Sequence, residues 1–359
     1  MSVTPDHSMV PGTVIDYSRA SLGRYIGSPS IAIAPNGDYL ASHDFFGPGT
    51  NNNEMVVFKS EDRGETWEKI SDIVGQWWST IFFHEDQLYL LGTSCEFGNP
   101  VIRRSVDGGV NWSTPKDSDS GLLSSKDKYH CAPVPVVSHK GRLWRAFELA
   151  YGPRSNWLVQ VLSVPHGTDI LNSHNWRFSH PLNHSGQAAE WIEGNIVVTS
   201  TGGLKNILRR NLVNVSPELF KSESDSAIMV HVDDEGKLLT HNRETDIINF
   251  PGGGVKFTIR YDGRSALYWA LVSKQRNPDA YRNNLVLVSS EDLVNWQINS
   301  SILHHPDMKT HAFQYVDWEF EDDDIVFVSR TSYADGLGGA HDAHDANYLT
   351  FHRIMNFRR

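Results

Sequence analysis

The 359-residue sequence is poor in cysteine and has no long apolar run. Its two cysteines, Cys95 and Cys131, are too few for a disulfide framework, and no Cys-x-x-Cys pair suggests a zinc site. No apolar stretch approaches the roughly 18 residues that a membrane-spanning helix needs, so the sequence predicts no membrane partner. The N-terminal stretch lacks the charged and apolar regions of an export signal. This predicts a cytoplasmic protein, or a periplasmic or secreted one if a leader has been removed.

Positive charge and helical periodicity are also scarce. The formal net charge is −11, which argues against nucleic acid as a partner, because binding to a phosphate backbone requires clustered cations. The sequence therefore favours a small molecule or a carbohydrate as the partner. No segment repeats its apolar residues at the helical period of 3.6, whereas short runs rich in β-branched and aromatic residues are frequent. The sequence therefore predicts an all-β fold.

One polar pattern occurs three times, each time after a strand-like apolar run and before another short strand-like segment. The copies are Ser60 to Trp67, Ser105 to Trp112 and, more loosely, Ser290 to Trp296. In each copy the aspartate can accept hydrogen bonds from the amides of its own turn, and the tryptophan can pack beneath the turn. In the first two copies, glycine permits a positive φ. The pattern therefore indicates a hairpin turn and carries no chemistry.

Between these copies, pairs of strand-like runs are joined by tight polar turns. An isolated strand at residues 12–16 precedes the first pair and is expected to complete the outer edge of the last repeat. Six such turns predict six repeats of one β-propeller domain spanning residues 1–359. The turns are Pro35-Asn36-Gly37, His84-Glu85-Asp86, His139-Lys140-Gly141, Ser200-Thr201-Gly202-Gly203, Tyr261-Asp262-Gly263 and Glu321-Asp322-Asp323.

The repeated pattern resembles the Asp-box, or BNR repeat, of sialidase-type β-propellers. The resemblance implies an all-β, sialidase-like β-propeller. Sialidases begin their first blade with Arg-Ile-Pro, whose arginine belongs to a triad that holds the substrate carboxylate. The matching stretch here, Tyr25 to Ser30, places Gly27 at the arginine position. Sialidase activity is therefore only a lower-ranked alternative.

Propeller geometry predicts that the central funnel is lined by the starts of first strands and the ends of second strands. The resulting set is rich in cationic and imidazole groups although the chain is acidic, which favours an anionic sugar, because arginine binds carboxylates in bidentate fashion. The predicted substrate-binding residues are Arg209, Arg210, Lys256, Arg330, Trp191 and His311. Trp191 could stack on a sugar ring.

Three longer stretches, Tyr25 to Pro48, Tyr129 to Phe147 and Phe313 to Phe357, resemble the β-propeller α-L-rhamnosidases. That family is described as seven-bladed and removes rhamnose that caps glucuronic acid. The resemblance implies an exo-glycosidase without a cofactor, acting on an oligosaccharide or polysaccharide that contains uronic acid. It also implies one essential histidine in the first blade, best matched by His43.

The rhamnosidases are related to propeller ulvan lyases, which cleave at a uronic acid by β-elimination. For that chemistry His130 is the candidate base, Tyr333 the candidate acid, and Arg209 or Arg210 the group that neutralises the carboxylate. A propeller that binds glycans without turnover is a further alternative.

A long loop from Ala334 to Ala346 carries two histidines in an H-x-x-H spacing with adjacent aspartates. The loop lacks both the H-E-x-x-H helix of zinc proteases and the D-x-D-x-D-G pattern of calcium loops. No metal is therefore predicted, and two alternatives stay open: a polar loop over the substrate and a simple solvated loop. The four side chains are His341, Asp342, His344 and Asp345.

Overall fold

Six antiparallel sheets surround a central axis in the computed structural model, which describes residues 4–184, 189–212, 215–274 and 282–359. This arrangement is a six-bladed β-propeller. The prediction of six blades is confirmed, whereas the seven blades described for the rhamnosidases are not found. The described part of the chain contains no helix long and apolar enough to cross a membrane.

The strands follow the chain from blade to blade. Blade 1 contains β2 (Tyr25–Ile26), β3 (Ser30–Ile33), β4 (Tyr39–Phe46), β5 (Glu54–Ser60) and β6 (Glu68–Val74). Blade 2 contains β7 (Trp77–His84), β8 (Gln87–Thr93) and β9 (Pro100–Ser105). Blade 3 contains β10 (Tyr129–His130), β11 (Val137–His139), β12 (Arg142–Leu149), β13 (Leu158–Pro165), β14 (Arg177–Phe178) and β15 (Leu182–Asn183).

The second half is built in the same way. Blade 4 contains β16 (Ala189–Val198), β17 (Leu204–Leu212), β18 (Ser226–Val232), β19 (Leu239–Thr240) and β20 (Ile247–Asn249). Blade 5 contains β21 (Thr258–Asp262), β22 (Leu267–Ser273), β23 (Asn284–Ser290) and β24 (Gln297–His304). Blade 6 contains β25 (Ala312–Glu321), β26 (Asp324–Ser332), β27 (Tyr348–Ile354) and β1 (Thr13–Tyr17).

The ring is closed by the N-terminal strand. β1 pairs antiparallel with β27, so that Thr13 lies opposite Phe351 at the outer edge of blade 6. This confirms the role predicted for the isolated strand at residues 12–16. Near the axis, the Ser30 hydroxyl of blade 1 donates to Asp317 Oδ2 of blade 6 at 2.7 Å and accepts from the Ile81 amide of blade 2 at 3.1 Å. Short polar side chains on the inner strands thus join neighbouring blades.

Apolar side chains fill the space between adjacent blades, and an apolar cluster lies at each of the six interfaces. Both faces of a blade are covered in this way. Tryptophans contribute strongly, since Trp144 packs between blades 3 and 4 and Trp318 between blades 5 and 6. Burial of these faces is the main stabilising contribution that the fold makes.

The three Ser-x-Asp turns have the predicted hydrogen bonds. In the first, Asp62 Oδ1 accepts from the Thr66 amide at 2.9 Å, and the Ser60 hydroxyl accepts from the Gly64 amide at 2.8 Å. Trp67 Nε1 donates to the Gly64 carbonyl at 3.3 Å. Hydrogen bonds from Thr66 lower the pKa of Asp62 to about 2. The aspartate is therefore occupied within its own turn.

Two local features depart from the sequence prediction. The second Ser-x-Asp turn is followed by no fourth strand in blade 2. Instead the Ser113 amide donates to the Arg104 carbonyl at 2.9 Å before the chain turns away near Pro115, which has no amide to donate. Within the described residues, one short α-helix, α1 (Pro217–Glu223), also interrupts the all-β pattern. Ser216 caps it by accepting from the Leu219 amide at 3.3 Å, and Pro217 occupies its first turn.

Candidate active site

A polar cleft opens at the mouth of the axis, on the face opposite the Ser-x-Asp turns. It has about 710 Å³ of empty volume and receives side chains from every blade except the fifth. Its lining residues are Gly27, Ser28, Asp44, Phe46, Gly47, Asn52, Trp77, Trp78, Glu96, His130, Cys131, Arg154, Ile192, Glu193, Arg209, Tyr315, Arg330 and His344.

Three of these side chains enter the cleft through irregularities in innermost strands. Trp78, Glu193 and Tyr315 have positive φ values of 49°, 59° and 54°. Each lies where the strand register shifts, in β7, β16 and β25 respectively. A bulge adds a residue and redirects the neighbouring side chains, and strained non-glycine residues concentrate at functional sites. Blades 2, 4 and 6 thus direct one strained residue each into the cleft.

Glu193, Tyr315 and Arg209 form a hydrogen-bonded cluster in the cleft. The Tyr315 hydroxyl donates to Glu193 Oε1 at 2.7 Å, and Arg209 Nη1 lies 3.1 Å from Glu193 Oε2 and 3.4 Å from the Tyr315 oxygen. Burial alone would raise the pKa of Glu193, but the charges of Arg209 and His130 hold it below its usual value. Burial raises the pKa of the Tyr315 hydroxyl. At neutral pH the cluster is therefore a protonated phenol beside a carboxylate.

Two further arginines flank the same phenol ring. The guanidinium carbons of Arg282 and Arg330 lie 5.4 Å and 4.9 Å from the centre of the Tyr315 ring. Arg330 donates to the His344 carbonyl and Arg282 to the side-chain oxygen of Gln314. Among the described residues, no carboxylate lies within 4.0 Å of either guanidinium. Burial lowers the pKa of Arg282 to about 10. Around the Tyr315 phenol, three arginines therefore lie near one carboxylate, Glu193.

Asp44 is the second carboxylate of the cleft. It lies near the end of β4, where Oδ1 accepts from the Ser28 amide and Oδ2 from the Trp78 amide, both at 2.7 Å. Burial raises its pKa to about 6, even though both hydrogen bonds oppose that shift. A Cβ added at Gly27 would lie 1.7 Å from Asp44 Oδ1. The position at which sialidases carry arginine therefore has no room for a side chain here.

The surroundings of Asp44 and Glu193 move their pKa values in opposite directions. Asp44 holds its proton into the weakly acidic range, whereas Glu193 is ionised. Two carboxylates whose pKa values are moved apart by their surroundings can serve as acid and base in one reaction. The site can therefore donate a proton from Asp44 and accept one at Glu193.

His130, Arg209 and Arg330 are the predicted site residues that the structure brings into the cleft. The His130 ring lies 4.5 Å from Trp78 and 4.9 Å from Trp157, centre to centre. Its Nδ1 lies 2.7 Å from Glu148 Oε2, and Glu148 is fully buried. Glu148 therefore fixes the orientation of the imidazole ring, and Nε2 is the nitrogen that remains available to a group in the cleft.

His43 does not lie in the cleft, and its predicted catalytic role requires correction. Its ring has no exposed surface and stacks on Phe58 at 5.8 Å. Nε2 lies 2.8 Å from Asp16 Oδ2, and Nδ1 lies 2.9 Å from the carbonyl of Asp44. Side chains alternate along a strand, so the aspartate that follows His43 faces the cleft while His43 faces blade 6.

Tyr333 and His311 also lie away from the cleft. They form a small aromatic cluster with His305 at the link between blades 5 and 6, where the two imidazole rings stack at 3.7 Å. His311 Nδ1 lies 2.8 Å from Asp307 Oδ2. The predicted acid Tyr333 is therefore replaced by Tyr315 as the phenol that faces the cleft.

Trp191 and Arg210 have structural contacts instead of cleft contacts. Trp191 is buried between blades 3 and 4, stacked on His184 at 4.6 Å. It cannot act as a platform for a sugar in this position. Arg210 donates to Ser226 Oγ at 2.9 Å and to Glu223 at 2.6 Å. Only Arg209 of the two adjacent arginines therefore faces the site.

Lys256 lies behind the cleft wall and supports the strained segment at Tyr315. Its buried Nζ donates to the carbonyl of Val316 at 2.8 Å and to that of Tyr315 at 3.4 Å. Burial lowers its pKa to about 8. Lys256 was predicted to contact the substrate, but it contacts instead the backbone that positions the Tyr315 phenol.

Replacing Lys256 with methionine is expected to lower kcat about tenfold while KM changes less than threefold. The released carbonyls would let Tyr315 move, and small misplacements of a reacting group are costly. Steady-state kinetics on a substrate that the wild type cleaves would measure the effect. Lys69→Met on the exposed strand β6 is the matched control. An unchanged kcat in Lys256→Met would contradict the positioning role.

The loop from Ala334 to Ala346 reaches the cleft through His344, which packs against Phe46 at 5.3 Å. Potential ligand atoms of His341, Asp342 and Asp345 lie within 4.8 Å of one another. His341 Nδ1 lies 3.0 Å from Asp345 Oδ2, and His341 is exposed. These polar groups interact with one another at the rim, beside the cleft.

Fold and cleft together define a sialidase-like, six-bladed β-propeller. No protein family and no curated protein matches the chain. The chain is similar to an α-L-arabinanase of Penicillium chrysogenum complexed with arabinobiose, at 15% identity and a TM-score of 0.58, over 100% of this chain and 99% of that one. It is also similar to the α-L-arabinofuranosidase Arb93A of Fusarium graminearum, at 11% identity and a TM-score of 0.60, over 97% and 99% of the two chains.

A third similar structure is the Trypanosoma rangeli sialidase in complex with sialic acid. The identity is 14% and the TM-score 0.60, over 97% of this chain and 58% of that one. These neighbours are propeller glycosidases that act on carbohydrate. At such low identities they establish the fold. They do not test the resemblance to α-L-rhamnosidases and ulvan lyases, which stays a prediction.

Proposed function

We propose that this protein is a retaining glycoside hydrolase that removes a terminal sugar carrying a carboxylate. The observation that carries the proposal is the Tyr315 hydroxyl, which donates to Glu193 at 2.7 Å while arginines surround its ring. Tyrosine is the nucleophile in sialidases. A neutral phenol suits an anionic substrate, because a carboxylate nucleophile would repel the carboxylate of the sugar in a buried site.

Each group has one role in the proposed reaction. The Tyr315 oxygen bonds to the anomeric carbon as its proton passes to Glu193, and Asp44 gives its proton to the departing oxygen. Water then attacks the glycosyl-tyrosine and loses a proton to the Asp44 carboxylate. The phenol leaves and regains its proton from Glu193. The two carboxylates thereby return to their starting states.

The excess arginine charge selects the substrate. Arg330 lines the cleft and donates to a carbonyl oxygen, so its charge remains available to bind an anionic group. Arg282 flanks the phenol ring behind the cleft lining and adds positive charge to the site. The sialic acid bound by the Trypanosoma rangeli neighbour carries such a group. Uronic acids share this chemistry. Removal of rhamnose from glucuronic acid remains a substrate to test, although His43, on which that prediction depended, lies outside the cleft.

Uronate β-elimination is a second candidate function, favoured by one observation. His130 and Tyr315 face the same cleft, and Arg209 lies beside the phenol. A lyase needs an arginine to neutralise the uronate, a base to take the C5 proton and an acid for the leaving oxygen. His130 would be the base and Tyr315 the acid.

Substrate choice tests the proposal directly. The protein is incubated with 4-methylumbelliferyl glycosides of N-acetylneuraminic acid and glucuronic acid, with the uncharged 4-methylumbelliferyl glucoside, and with rhamnosyl-α-1,4-glucuronate oligosaccharides and ulvan. Fluorescence, free sugar and ultraviolet absorbance are recorded together. Hydrolysis of one acidic glycoside at least about 100-fold faster than the glucoside is expected. Arg330→Met should raise KM for that glycoside about tenfold or more.

Other results would reassign the function. New ultraviolet absorbance would establish the lyase, and release of rhamnose would establish the rhamnosidase prediction. Binding of the sugars without any product would support a glycan-binding propeller. Equal rates on the acidic and neutral glycosides would contradict the role of the arginines.

A further inference from the structure

Above Asp44, the cleft rim carries a pair of side chains that the proposed hydrolysis does not use. Asn52 belongs to the β4–β5 loop of blade 1, and Glu96 follows β8 of blade 2. Asn52 Nδ2 donates to Glu96 Oε2 at 2.8 Å, and the Glu96 amide donates to the Asn52 carbonyl at 2.8 Å. The Thr50 hydroxyl donates to Asn52 Oδ1 at 2.7 Å. Asn52 is held at φ 51°, a strained value for a residue other than glycine.

The position of this pair relative to Asp44 follows from strand geometry. Phe46 lies two residues beyond Asp44 on β4, so its side chain is on the same face, about 7 Å further toward the rim. Phe46, Asn52 and Glu96 all line the cleft. Because Asp44 protonates the departing oxygen, the leaving group must extend from Asp44 toward this rim.

Glu96 places a negative charge at the rim, whereas arginines surround Tyr315. One of these arginines, Arg330, also lies 4.5 Å from the centre of the Phe46 ring, so the anionic part of the rim is confined to Asn52 and Glu96. Glu96 is exposed, and within the described chain no cationic side chain lies within 4.0 Å of its carboxylate. One of its oxygens is held by Asn52 and the other is free to accept. Carboxylate and amide groups are suitable partners for sugar hydroxyls, whereas an anionic group placed here would meet like charge.

We infer that Asn52 and Glu96 form a leaving-group subsite that accepts a neutral, hydroxyl-rich sugar and rejects a uronic acid. The inference rests on the proposed function, because it assigns the bond cleaved to the one next to Asp44. The substrate is then an acidic terminal sugar joined to an uncharged sugar. The arginines near Tyr315 bind the acidic sugar, and the carboxylate of Glu96 contacts the neutral sugar.

The test compares three substrates that share one acidic terminal sugar, the sugar whose 4-methylumbelliferyl glycoside the protein cleaves. In the first substrate this sugar is linked to 4-methylumbelliferone, in the second to galactose and in the third to galacturonic acid. Wild type is expected to have a kcat/KM at least about tenfold higher for the galactose conjugate than for the galacturonate conjugate. Glu96→Gln is expected to reduce that ratio to about twofold or less. Glu68→Gln on the outer strand β6 removes the same charge far from the cleft and should keep the wild-type ratio.

The possible outcomes distinguish a failure of the subsite from a failure of the proposed function. If the aryl glycosides are cleaved but Glu96→Gln keeps the wild-type ratio, the subsite is overturned and the hydrolase stands. A wild type that prefers the galacturonate conjugate also overturns the subsite. If no acidic aryl glycoside is cleaved, the proposed function fails and the subsite fails with it.

Discussion

Replacing Tyr315 with phenylalanine is expected to lower kcat/KM at least about 1,000-fold, because the change removes the attacking oxygen. The protein should still fold. Glu193 keeps its ion pair with Arg209 at 3.1 Å. The change removes the hydrogen bond to the buried carboxylate and the weaker contact with Arg209 at 3.4 Å, which costs about 2–3 kcal/mol of unfolding free energy. Thermal unfolding measured beside the kinetics would separate the two effects.

A covalent intermediate gives this prediction a second readout. A fluorinated analogue of the cleaved acidic sugar should add one sugar mass to the intact protein, and peptide mapping should locate the adduct at Tyr315. Tyr315→Phe should acquire no adduct. Tyr261→Phe, which alters an exposed residue on the opposite face, is the matched control. Residual activity within tenfold of wild type in Tyr315→Phe would show that another group attacks the sugar.

Replacing Asp44 with asparagine is expected to lower kcat/KM by an amount that depends on the leaving group. A disaccharide needs a proton on its departing oxygen, so kcat/KM should fall about 100- to 10,000-fold. A 4-methylumbelliferyl leaving group departs as a stable anion, so kcat/KM for that glycoside, which does not include the later attack of water, should fall less than about tenfold. Comparing the two substrates in one variant removes differences in protein concentration or folding. Equal losses on both substrates would contradict the acid role.

The pH profile should report the same residue. Burial raises the pKa of Asp44 to about 6, so kcat/KM for the disaccharide should decline as the pH rises above about 6. The pKa of Glu193 lies below its usual value of 4.5, so the base is lost only in more acidic solution. The alkaline decline should disappear in Asp44→Asn. A decline that persists in the variant would assign it to another group.

Stability should depend on the same proton. The native state holds a proton on Asp44 up to about pH 6, whereas the unfolded chain releases it near 3.8. This contribution is therefore fully present below about pH 4 and is lost as the pH rises through about 6, by about 3 kcal/mol of unfolding free energy. Denaturation of wild type and Asp44→Asn at pH 4 and pH 7 would measure the difference.

The sequence contained much of the architecture in local form. Ser60 to Trp67 and its two relatives predicted hairpin turns, because a serine, an aspartate and a tryptophan at that spacing satisfy the turn from within. Six inner turns led to six blades, and residues 12–16 to the closing strand. His130, Arg209 and Arg330 were predicted to line the funnel because they lie at the start of a first strand or near the end of a second strand, and the structure places them in the cleft.

The central pair of the site was missed for a physical reason. Alternation predicts one inward residue in two, but bulges place Ile192 and Glu193 in succession along the cleft, and redirect Tyr315 beside Gln314. A bulge depends on the match between two strands, which a single strand does not record. No local signal marks Glu193 apart from the glycine that follows it. Arg282 was overlooked because it lies behind the ring of Tyr315.

Turn chemistry and strand propensity are local, so the sequence by itself determined a propeller of six blades and the strand ends that line its central cleft. Tertiary structure decided which groups meet. Tyr315 and Glu193 lie 122 residues apart in the chain and touch because blades 4 and 6 converge on one axis. The raised pKa of Asp44 likewise exists only where neighbouring blades exclude water from its carboxyl group.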